Sequence, residues 1–418
     1  MIAVRLDARG PNSRWYAGAG LIRPVRLILM PAALHVPIWA VGVQTIALDQ
    51  YDATATADDR SDRDAAAKVM ATATVRVNVT LANKSDRNST GQLTVMVSAA
   101  DRAVAVPLMP SPPPQKSLAV AVPHGAQHSF SIDLLVAAAS LWTPRAPYLY
   151  HVVVRVEREA TGLEELVPVF QPSQSETEVA NEDMRARRAA QVDELRLPFG
   201  IRTIQFDGEH GFLLNGEPTK LRGGNVHHAH GPLGAAAVPA AEDRKVAQLK
   251  AAGYNAVRTS HNPPSTAFLD ACDRMGLLVM EELFDCWAVG KNSRDYHLAF
   301  EGWWERDLDA MVLRDRHHPS IVMWSIGNEI RERYTREGMQ RARALADRVR
   351  ALDHHGRAIT SSVPTPGGHP PDNFSASFDV VSYNYACGFS WTSGCDFFEH
   401  SRERLHGQVR AACPENPV

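Results

Sequence analysis

Hydrophobic and polar residues alternate along several stretches in the first half of the chain. In residues 75–81 every odd position is apolar and every even position is polar, which is typical of a strand with one buried face. The same alternation returns at 93–97, 130–134 and 152–156. Strands at such intervals, separated by turns, predict an antiparallel β-sandwich of immunoglobulin-like size over residues 33–202.

Three polar stretches interrupt this pattern. Residues 51–68 are rich in Asp, Ala and Thr, residues 109–116 contain four prolines, and residues 171–193 hold few apolar side chains. Such compositions do not supply a buried face, so we expect loop insertions in the sandwich.

The second half of the chain has a different pattern. A short apolar run leads into Asn215-Gly216, a dipeptide suited to the positive φ angles of a hairpin turn. After it, short apolar strands alternate with helical segments, which predicts a parallel sheet and fits a (β/α)₈ TIM barrel. We expect six strands, near 221–227, 255–260, 277–282, 321–328, 358–363 and 380–385. The segment 203–418 is shorter than the ~250 residues typical of such a barrel, so we expect an incomplete one.

Composition and charge narrow the range of functions. The chain has 418 residues, with 44 basic and 47 acidic side chains and a formal net charge of −3. This balance, without a basic block, gives no indication of nucleic-acid binding. We see no apolar run long enough to span a membrane and no signal peptide, so the localisation stays open. The five cysteines form no CxxC pair and are interpreted as reduced thiols, mostly in the core.

Chemically competent side chains follow the predicted barrel strands, where the active sites of such barrels lie. Carboxylates, amides, histidines and aromatic rings suit a polyhydroxylated ligand such as a sugar. The strand-end segments that carry them are 225–228, 258–262, 281–282, 324–329 and 383–385.

Glu329 is the leading candidate for chemistry, since it directly follows an apolar strand. Glycoside cleavage needs two carboxyl groups, one to protonate the leaving oxygen and one to attack the sugar or activate water. Position alone leaves open the alternative of a solvated glutamate at a helix start.

Two motifs carry a family resemblance. The sequence WSIGNE at 324–329 and the sequence RTSHNP at 258–263 resemble the motifs of glycoside hydrolase family 2, which includes β-galactosidases, β-glucuronidases and β-mannosidases. Residues 283–287 and 311–316 are most similar to the β-galactosidase branch. The resemblance implies a retaining exo-β-glycosidase, most similar to a β-galactosidase, that acts on a β-linked glycoside.

The resemblance also implies a domain order. Residues 13–25 resemble the end of a sugar-binding jelly-roll domain, so residues 1–32 are expected to be its C-terminal part. Residues 33–202 would be the immunoglobulin-like sandwich, and residues 203–418 the catalytic barrel. Both ends of the family pattern are expected to be truncated, and the sequence leaves homo-oligomerisation open.

The resemblance assigns roles residue by residue. Glu329 would be the general acid/base, and Asn328 would hold the 2-hydroxyl of the sugar. Arg258 would support the end of its strand.

The remaining assignments complete the expected substrate site. His261 would line the −1 subsite, Asn262 of the same motif would bind substrate, and His227 would contact the ring hydroxyls. Tyr385 matches a tyrosine that hydrogen-bonds the nucleophile. For Arg258 and Asn262, a structural salt bridge and a turn cap remain alternatives.

Metal binding is not expected from the residues. His227, His228 and His230 have a spacing that could ligate zinc, but no acidic general base accompanies them as in HExxH. Some family members bind magnesium through acidic or histidine residues after the third barrel strand. Cys286 and Trp287 stand in that stretch here, which argues against magnesium without closing the question.

The nucleophile of the family pattern has no match. It is a glutamate at the end of barrel strand seven, and the sequence ends at Val418, where we expect this strand to begin. A non-catalytic carbohydrate-binding or interaction protein is therefore the alternative function.

Overall fold

The computed structural model describes residues 3–5, 20–28, 30, 32–51, 70–100, 112–158, 192–364 and 372–384. The chain divides into two compact units. The first consists of 26–141 and 148–201, and the second consists of 1–25, 142–147 and the part from residue 202 onward, each over its described residues. The domain boundaries expected from the sequence, including the jelly-roll origin of residues 1–32, stay a prediction.

The first unit is a sandwich of two antiparallel sheets. Its strands are β1 (Leu34–His35), β2 (Val41–Tyr51), β3 (Met70–Asn83), β4 (Ser89–Ala99), β5 (Gln115–Val122), β6 (Gln127–Ser140), β7 (Tyr150–Arg158) and β8 (Val192–Phe199). In one sheet β3 pairs with β1 and β2 on one side and with β6 on the other, and the second sheet has the order β5-β4-β7-β8.

The predicted alternation explains why these strands pair as they do. The apolar side chains of Val75, Val77, Val79 and Leu81 are fully buried, whereas the polar residues between them are partly exposed. One face of β3 therefore packs in the core with the inward residues of the other strands. A shift of register by one residue would turn this entire apolar face to solvent.

Most of the three predicted loop stretches lies outside the described residues. Where they are described, all three predictions were wrong at their edges, and at the first of them Tyr51 ends β2. Gln115 and Lys116 begin β5, and Val192 and Asp193 begin β8. Strand pairing with β4 and β7 supplies the backbone hydrogen bonds at these positions, so polar side chains do not prevent a strand there.

After residue 202, the second unit continues with a small three-stranded sheet. It consists of β9 (Ile204–Asp207), β10 (Gly211–Leu214) and β11 (Glu217–Pro218). Asn215 and Gly216 join the last two strands with φ angles of 54° and 82°. The hairpin turn predicted from this dipeptide is confirmed.

Within the described residues, six parallel strands then form one sheet in consecutive order. They are β12 (Gly223–Val226), β13 (Ala256–Thr259), β14 (Leu278–Glu282), β15 (Ile321–Asn328), β16 (Ala358–Pro364) and β17 (Ser382–Asn384). The α-helices between them are α1 (Pro239–Ala251), α2 (Thr266–Met275), α3 (His297–Asp315), α4 (Arg336–Leu352) and α5 (Asp372–Ser375), and 3₁₀ turns lie at Gly231–Leu233 and Arg331–Tyr334. All six predicted strands are confirmed, in the order of a (β/α)₈ barrel.

Local signals explain where the helices begin and end. The Ser265 hydroxyl accepts a hydrogen bond from the Phe268 N–H at the start of α2, and Gly276 follows that helix with a φ of 70°. Both are common helix boundaries. The apolar face of α4 includes Leu345 and Val349, which are buried.

Aliphatic and aromatic side chains of these strands and helices form the core of the second unit. Cys272 and Cys286 are free thiols and are buried, as expected. Their three counterparts lie outside the described residues. Within the described part of the chain, no helix combines the length and the apolar character that crossing a membrane requires.

Candidate active site

The candidate residues lie where the barrel strands end. Arg258 is the penultimate residue of β13, Glu282 ends β14, Asn328 ends β15 and Asn384 ends β17. Because these strands are parallel, their carboxyl ends meet at one edge of the sheet. Residues that are far apart in the sequence therefore become neighbours at this edge.

Glu282 is the buried centre of the arrangement, with a fully inaccessible side chain. Its Oε2 accepts hydrogen bonds from Arg258 Nε at 2.9 Å, Arg258 Nη2 at 2.6 Å and Ser325 Oγ at 2.6 Å. Its Oε1 contacts His261 Nδ1. A buried carboxylate is stable only when it is paired and hydrogen-bonded in this way.

The Arg258 guanidinium joins three other strand ends. Besides its ion pair with Glu282, it donates from Nη2 to Asn328 Oδ1 at 2.9 Å and from Nη1 to Asn384 Oδ1 at 3.1 Å. The salt bridge considered as an alternative role for Arg258 is thus present, and the same side chain also reaches the residue beside Glu329. The planar fork of the arginine side chain has enough N–H donors to pair with Glu282 and to bond both asparagines at the same time.

The Asn328 side chain has a defined orientation. Its Oδ1 accepts from Arg258 and from Asn384 Nδ2 at 3.1 Å, and its Nδ2 donates to Asp285 Oδ1 at 2.9 Å. Asn328 is 2% exposed. Three contacts of the correct donor and acceptor type hold this amide in one position.

Glu329 lies next to this network, and it is less buried than the residues behind it. Its Oε1 accepts a hydrogen bond from Asn384 Nδ2 at 2.9 Å, and its backbone N–H donates to Ser362 O at 2.7 Å. Its φ of 48° is in the left-handed region, which costs a non-glycine residue on the order of 1–3 kcal/mol. Such a conformation persists only where the surroundings hold it.

His227 and Asn262 lie at the margin of this network. The His227 ring contacts the His261 ring edge-to-face, with centroids 5.6 Å apart. Burial, followed by the charges of His261 and His228, lowers the pKa of His227 below its usual range. His227 and Asn262 also line a cleft beside α1 and α2.

The structure thus brings together four of the seven residues expected from the sequence, namely Arg258, His261, Asn328 and Glu329. His227 contacts this group through His261, and Asn262 lines the neighbouring cleft. Tyr385, the seventh, lies outside the described residues.

Sequence reasoning missed the contributions of Glu282 and Asn384. Both were noted as strand-end residues, but neither was assigned a place in the site. An acidic residue and an arginine at the ends of adjacent predicted strands are a signal that could have identified the Arg258–Glu282 pair. Asp285 and Lys291, in the loop after β14, have no such signal.

The residues after β14 do not fit a magnesium site. Cys286 and Trp287 are buried, and the Trp287 indole donates to Ile326 O at 2.9 Å. The Asp285 carboxylate is already paired with the Lys291 ammonium at 2.8 Å. Across the described ranges, no three His, Cys, Asp or Glu side chains form a group that could hold a metal ion.

Comparison with known proteins gives a consistent result. Residues 207–387 match the model of the TIM barrel domain of glycosyl hydrolases family 2, and residues 59–168 match a second model of glycosyl hydrolases family 2. The chain belongs to glycoside hydrolase family 2. The incomplete TIM barrel and the β-sandwich agree with this family.

Individual glycoside hydrolase family 2 members support the same assignment. Beta-galactosidase BoGH2A of Bacteroides ovatus is 37% identical over 339 residues, which is 80% of this chain and 33% of that protein. A beta-galactosidase of Thermoanaerobacter pseudethanolicus is 35% identical over 190 residues, which is 44% of this chain and 20% of that protein. The chain thus spans a third or less of these two relatives.

A solved structure agrees over nearly the whole chain. The crystal structure of a glycosyl hydrolase family 2 member from Bacteroides cellulosilyticus has a TM-score of 0.73 and 33% sequence identity. The match covers 98% of this chain and 43% of that one.

Proposed function

We propose that this glycoside hydrolase family 2 chain carries the acid/base half of the active site of a retaining exo-β-glycosidase, with Glu329 as the general acid/base. The observation that carries the proposal is the position of the Glu329 carboxylate. It accepts from Asn384 at the carboxyl edge of the barrel sheet, beside the buried network of Arg258, Glu282 and Asn328. A carboxyl group so placed can exchange protons with a ligand bound at this edge.

The chemistry assigned to Glu329 has two steps. In the first, its carboxyl group donates a proton to the glycosidic oxygen while the bond between this oxygen and C1 breaks, and the bonding electrons leave with the aglycone. A carboxylate nucleophile forms the new bond to C1. In the second, Glu329 takes a proton from water as the water oxygen attacks C1, and the nucleophile leaves with its electron pair.

The neighbouring residues have supporting roles in the proposal. Asn328 would bind the 2-hydroxyl of the sugar, and His261 would line the −1 subsite with Arg258 behind it. His227 would contact ring hydroxyls, and Asn262 would bind substrate at the adjoining cleft. Tyr385 keeps the role that the family resemblance gives it, next to the nucleophile.

Two further glutamates of the described residues are unsuited to be that nucleophile. Glu282 is engaged by Arg258, Ser325 and His261. Glu281 is fully buried, and burial followed by the charge of Asp315 raises its pKa well above the usual range. The second carboxylate of the reaction is therefore not assigned to either of them.

We propose β-galactosides as the substrate class. Two relatives are named as beta-galactosidases, whereas a relative from Formosa agariphila is named as a putative beta-glucuronidase. Residues 283–287 and 311–316 resemble the β-galactosidase branch, which favours β-galactosides. Glucuronides and mannosides are the competing substrates, since they are used within the same family.

The test begins with the coding DNA on both sides of this region. The protein to be purified is the whole product of that reading frame. It is assayed with aryl β-galactosides, β-glucuronides and β-mannosides, and NMR of the first product identifies the anomer. We expect the β-galactoside to react fastest, with retention of configuration.

The role of Glu329 is tested with Glu329→Gln and with the matched control Glu337→Gln, an exposed glutamate of α4. A general acid contributes roughly 10²- to 10⁴-fold, so we expect a loss of this size for phenyl galactoside. For 2,4-dinitrophenyl galactoside, which needs little protonation, the loss should be far smaller. Equal losses on both substrates would contradict the acid role.

The same preparation tests the alternative, a non-catalytic carbohydrate-binding protein. A stop codon directly after the codon for Val418, with galactose binding and no hydrolysis of any aryl glycoside, would favour that alternative and contradict the proposed activity.

A further inference from the structure

We propose that Lys291 is a positioning residue that sets the orientation of Glu329 by holding the peptide unit between Asn328 and Glu329. This inference rests on the proposed function of Glu329 as the acid/base. Lys291 lies in the loop between β14 and α3, outside both family motifs. Its effect on chemistry would be exerted entirely through Glu329.

The peptide unit between Asn328 and Glu329 is held at both of its polar groups. Its carbonyl oxygen, Asn328 O, accepts a hydrogen bond from Lys291 Nζ at 2.6 Å. Its N–H, that of Glu329, donates to Ser362 O at 2.7 Å. The two contacts come from opposite neighbours of β15, namely the loop after β14 and the strand β16.

Holding this unit matters because of the backbone conformation that follows it. The φ of Glu329 is 48°, and an L-residue leaves this region unless its surroundings hold it there. Rotation of the peptide unit would change the direction of the Cα–Cβ bond. The Glu329 carboxylate would then move away from Asn384 Nδ2, to which it is now hydrogen-bonded.

The Lys291 ammonium is a strong donor here because it is nearly buried and balanced in charge. Its side chain is 7% exposed, and Nζ lies 2.8 Å from Asp285 Oδ1. The same oxygen of Asp285 accepts from Asn328 Nδ2 at 2.9 Å. The Lys291–Asp285 pair therefore holds Asn328 by its backbone carbonyl and by its side-chain amide.

The loop around Lys291 is itself anchored. The Lys291 N–H donates to Asp295 Oδ2 at 2.7 Å, and the preceding carbonyl, Gly290 O, accepts from Arg331 Nη1 at 2.8 Å. Glu332 accepts from the N–H of Ala288 at 3.0 Å. The ammonium is thus presented from a backbone that is fixed on both sides, as a positioning group requires.

The first test compares Lys291→Met with the control Lys220→Met, which changes an exposed lysine of the same unit. In the active protein, we expect Lys291→Met to lower kcat/KM for phenyl galactoside by roughly 10-fold or more. The kcat/KM for 2,4-dinitrophenyl galactoside should fall by less than about 3-fold, because misplacement of the acid affects only substrates that need protonation. KM should change little. Equal losses on both substrates, or no loss, would overturn the proposal.

A second variant separates positioning from charge balance. Lys291→Met leaves Asp285 without the charge of Lys291. The double variant, Lys291→Met with Asp285→Asn, removes both charges of the pair. If Lys291 only neutralises Asp285, the double variant should recover the activity on phenyl galactoside, which would overturn the proposal. If Lys291 positions Glu329, the unequal loss on the two substrates should persist.

A crystal structure of Lys291→Met gives an answer that does not depend on activity. We expect Glu329 to leave the left-handed region and its carboxylate to separate from Asn384 Nδ2. An unchanged Glu329 would overturn the positioning role. Failure of the proposed function is distinguishable, since the parent protein would then hydrolyse no aryl glycoside, whatever the conformation of Glu329 in the variant.

Discussion

Asn384 Nδ2 lies 2.9 Å from Glu329 Oε1 and 3.1 Å from Asn328 Oδ1. Asn384 ends β17, and β16 separates that strand from β15 in the sheet. The contact therefore passes over an intervening strand, which is feasible only because the strand ends converge at the carboxyl edge of the barrel. Glu329 is held by β16 through its backbone N–H and by the end of β17 through its carboxylate.

This relationship predicts the effect of Asn384→Ala. The variant removes a donor to the Glu329 carboxylate and to Asn328, so both lose orientation. We expect kcat/KM on an aryl β-galactoside to fall by roughly 10²-fold, the lower end of the loss that follows removal of one preorganised donor. The exposed control Gln340→Ala should behave like the parent protein. Parent-like kinetics of Asn384→Ala would contradict a role for this contact.

The Arg258–Glu282 pair predicts a large effect on stability. Both side chains are nearly or completely inaccessible, so Arg258→Met would leave a buried carboxylate without its counter-ion. We expect the free energy of unfolding to fall by about 3–5 kcal/mol, measured by urea titration.

The double variant Arg258→Met with Glu282→Gln serves as the control for that experiment. It removes the charge along with its partner, and we expect it to recover most of the lost stability. A double variant no more stable than Arg258→Met alone would show that the uncompensated charge is not the cause.

A neutral substitution of Glu281 should not lower the free energy of unfolding, in contrast to Arg258→Met. The Glu281 side chain is fully buried, and burial followed by the charge of Asp315 raises its pKa well above the ordinary value of 4.5. A carboxyl group with a raised pKa in the folded state favours folding below its unfolded pKa, and that contribution is lost as the pH rises toward the folded value. Glu281→Gln should therefore be at least as stable as the parent protein near pH 7. A marked loss of stability there, in urea titration, would contradict this.

The pair of His318 and Asp273 should contribute to the free energy of unfolding in a pH-dependent way. Burial disfavours the charged form of the histidine, but the Asp273 carboxylate, with Oδ2 at 2.5 Å from Nδ1, outweighs burial and raises the pKa of His318 above 6.5. The stabilisation from this protonated pair is complete below the unfolded pKa and is lost as the pH rises through the folded value.

The measurement for His318 is the unfolding free energy of His318→Gln and the parent protein from about pH 5 to about pH 9. The difference between them should be largest at the acidic end and should shrink as the pH rises. A difference that is constant over this range would contradict the assignment.

Local patterns in the sequence were sufficient for much of this structure. Alternation at 75–81 identified a sandwich strand, and the alternation of short strands with helices identified the six parallel strands in order. These features depend on the spacing of apolar residues along the chain, which can be recognised from short stretches of sequence. The convergence of strand ends in a parallel barrel then placed Arg258, Asn328 and Glu329 at one edge without further information.

The sequence by itself therefore determined the family, the strand order and the edge of the sheet that carries Glu329. Only the tertiary structure decided that Glu282 is a buried anchor, that Lys291 reaches Asn328 O, and that Asn384 bonds Glu329. Arg258 and Asn384 are 126 positions apart, and no local period relates such residues. Their contact depends on the tertiary arrangement of the six-stranded sheet, which brings the ends of β13 and β17 within hydrogen-bond distance.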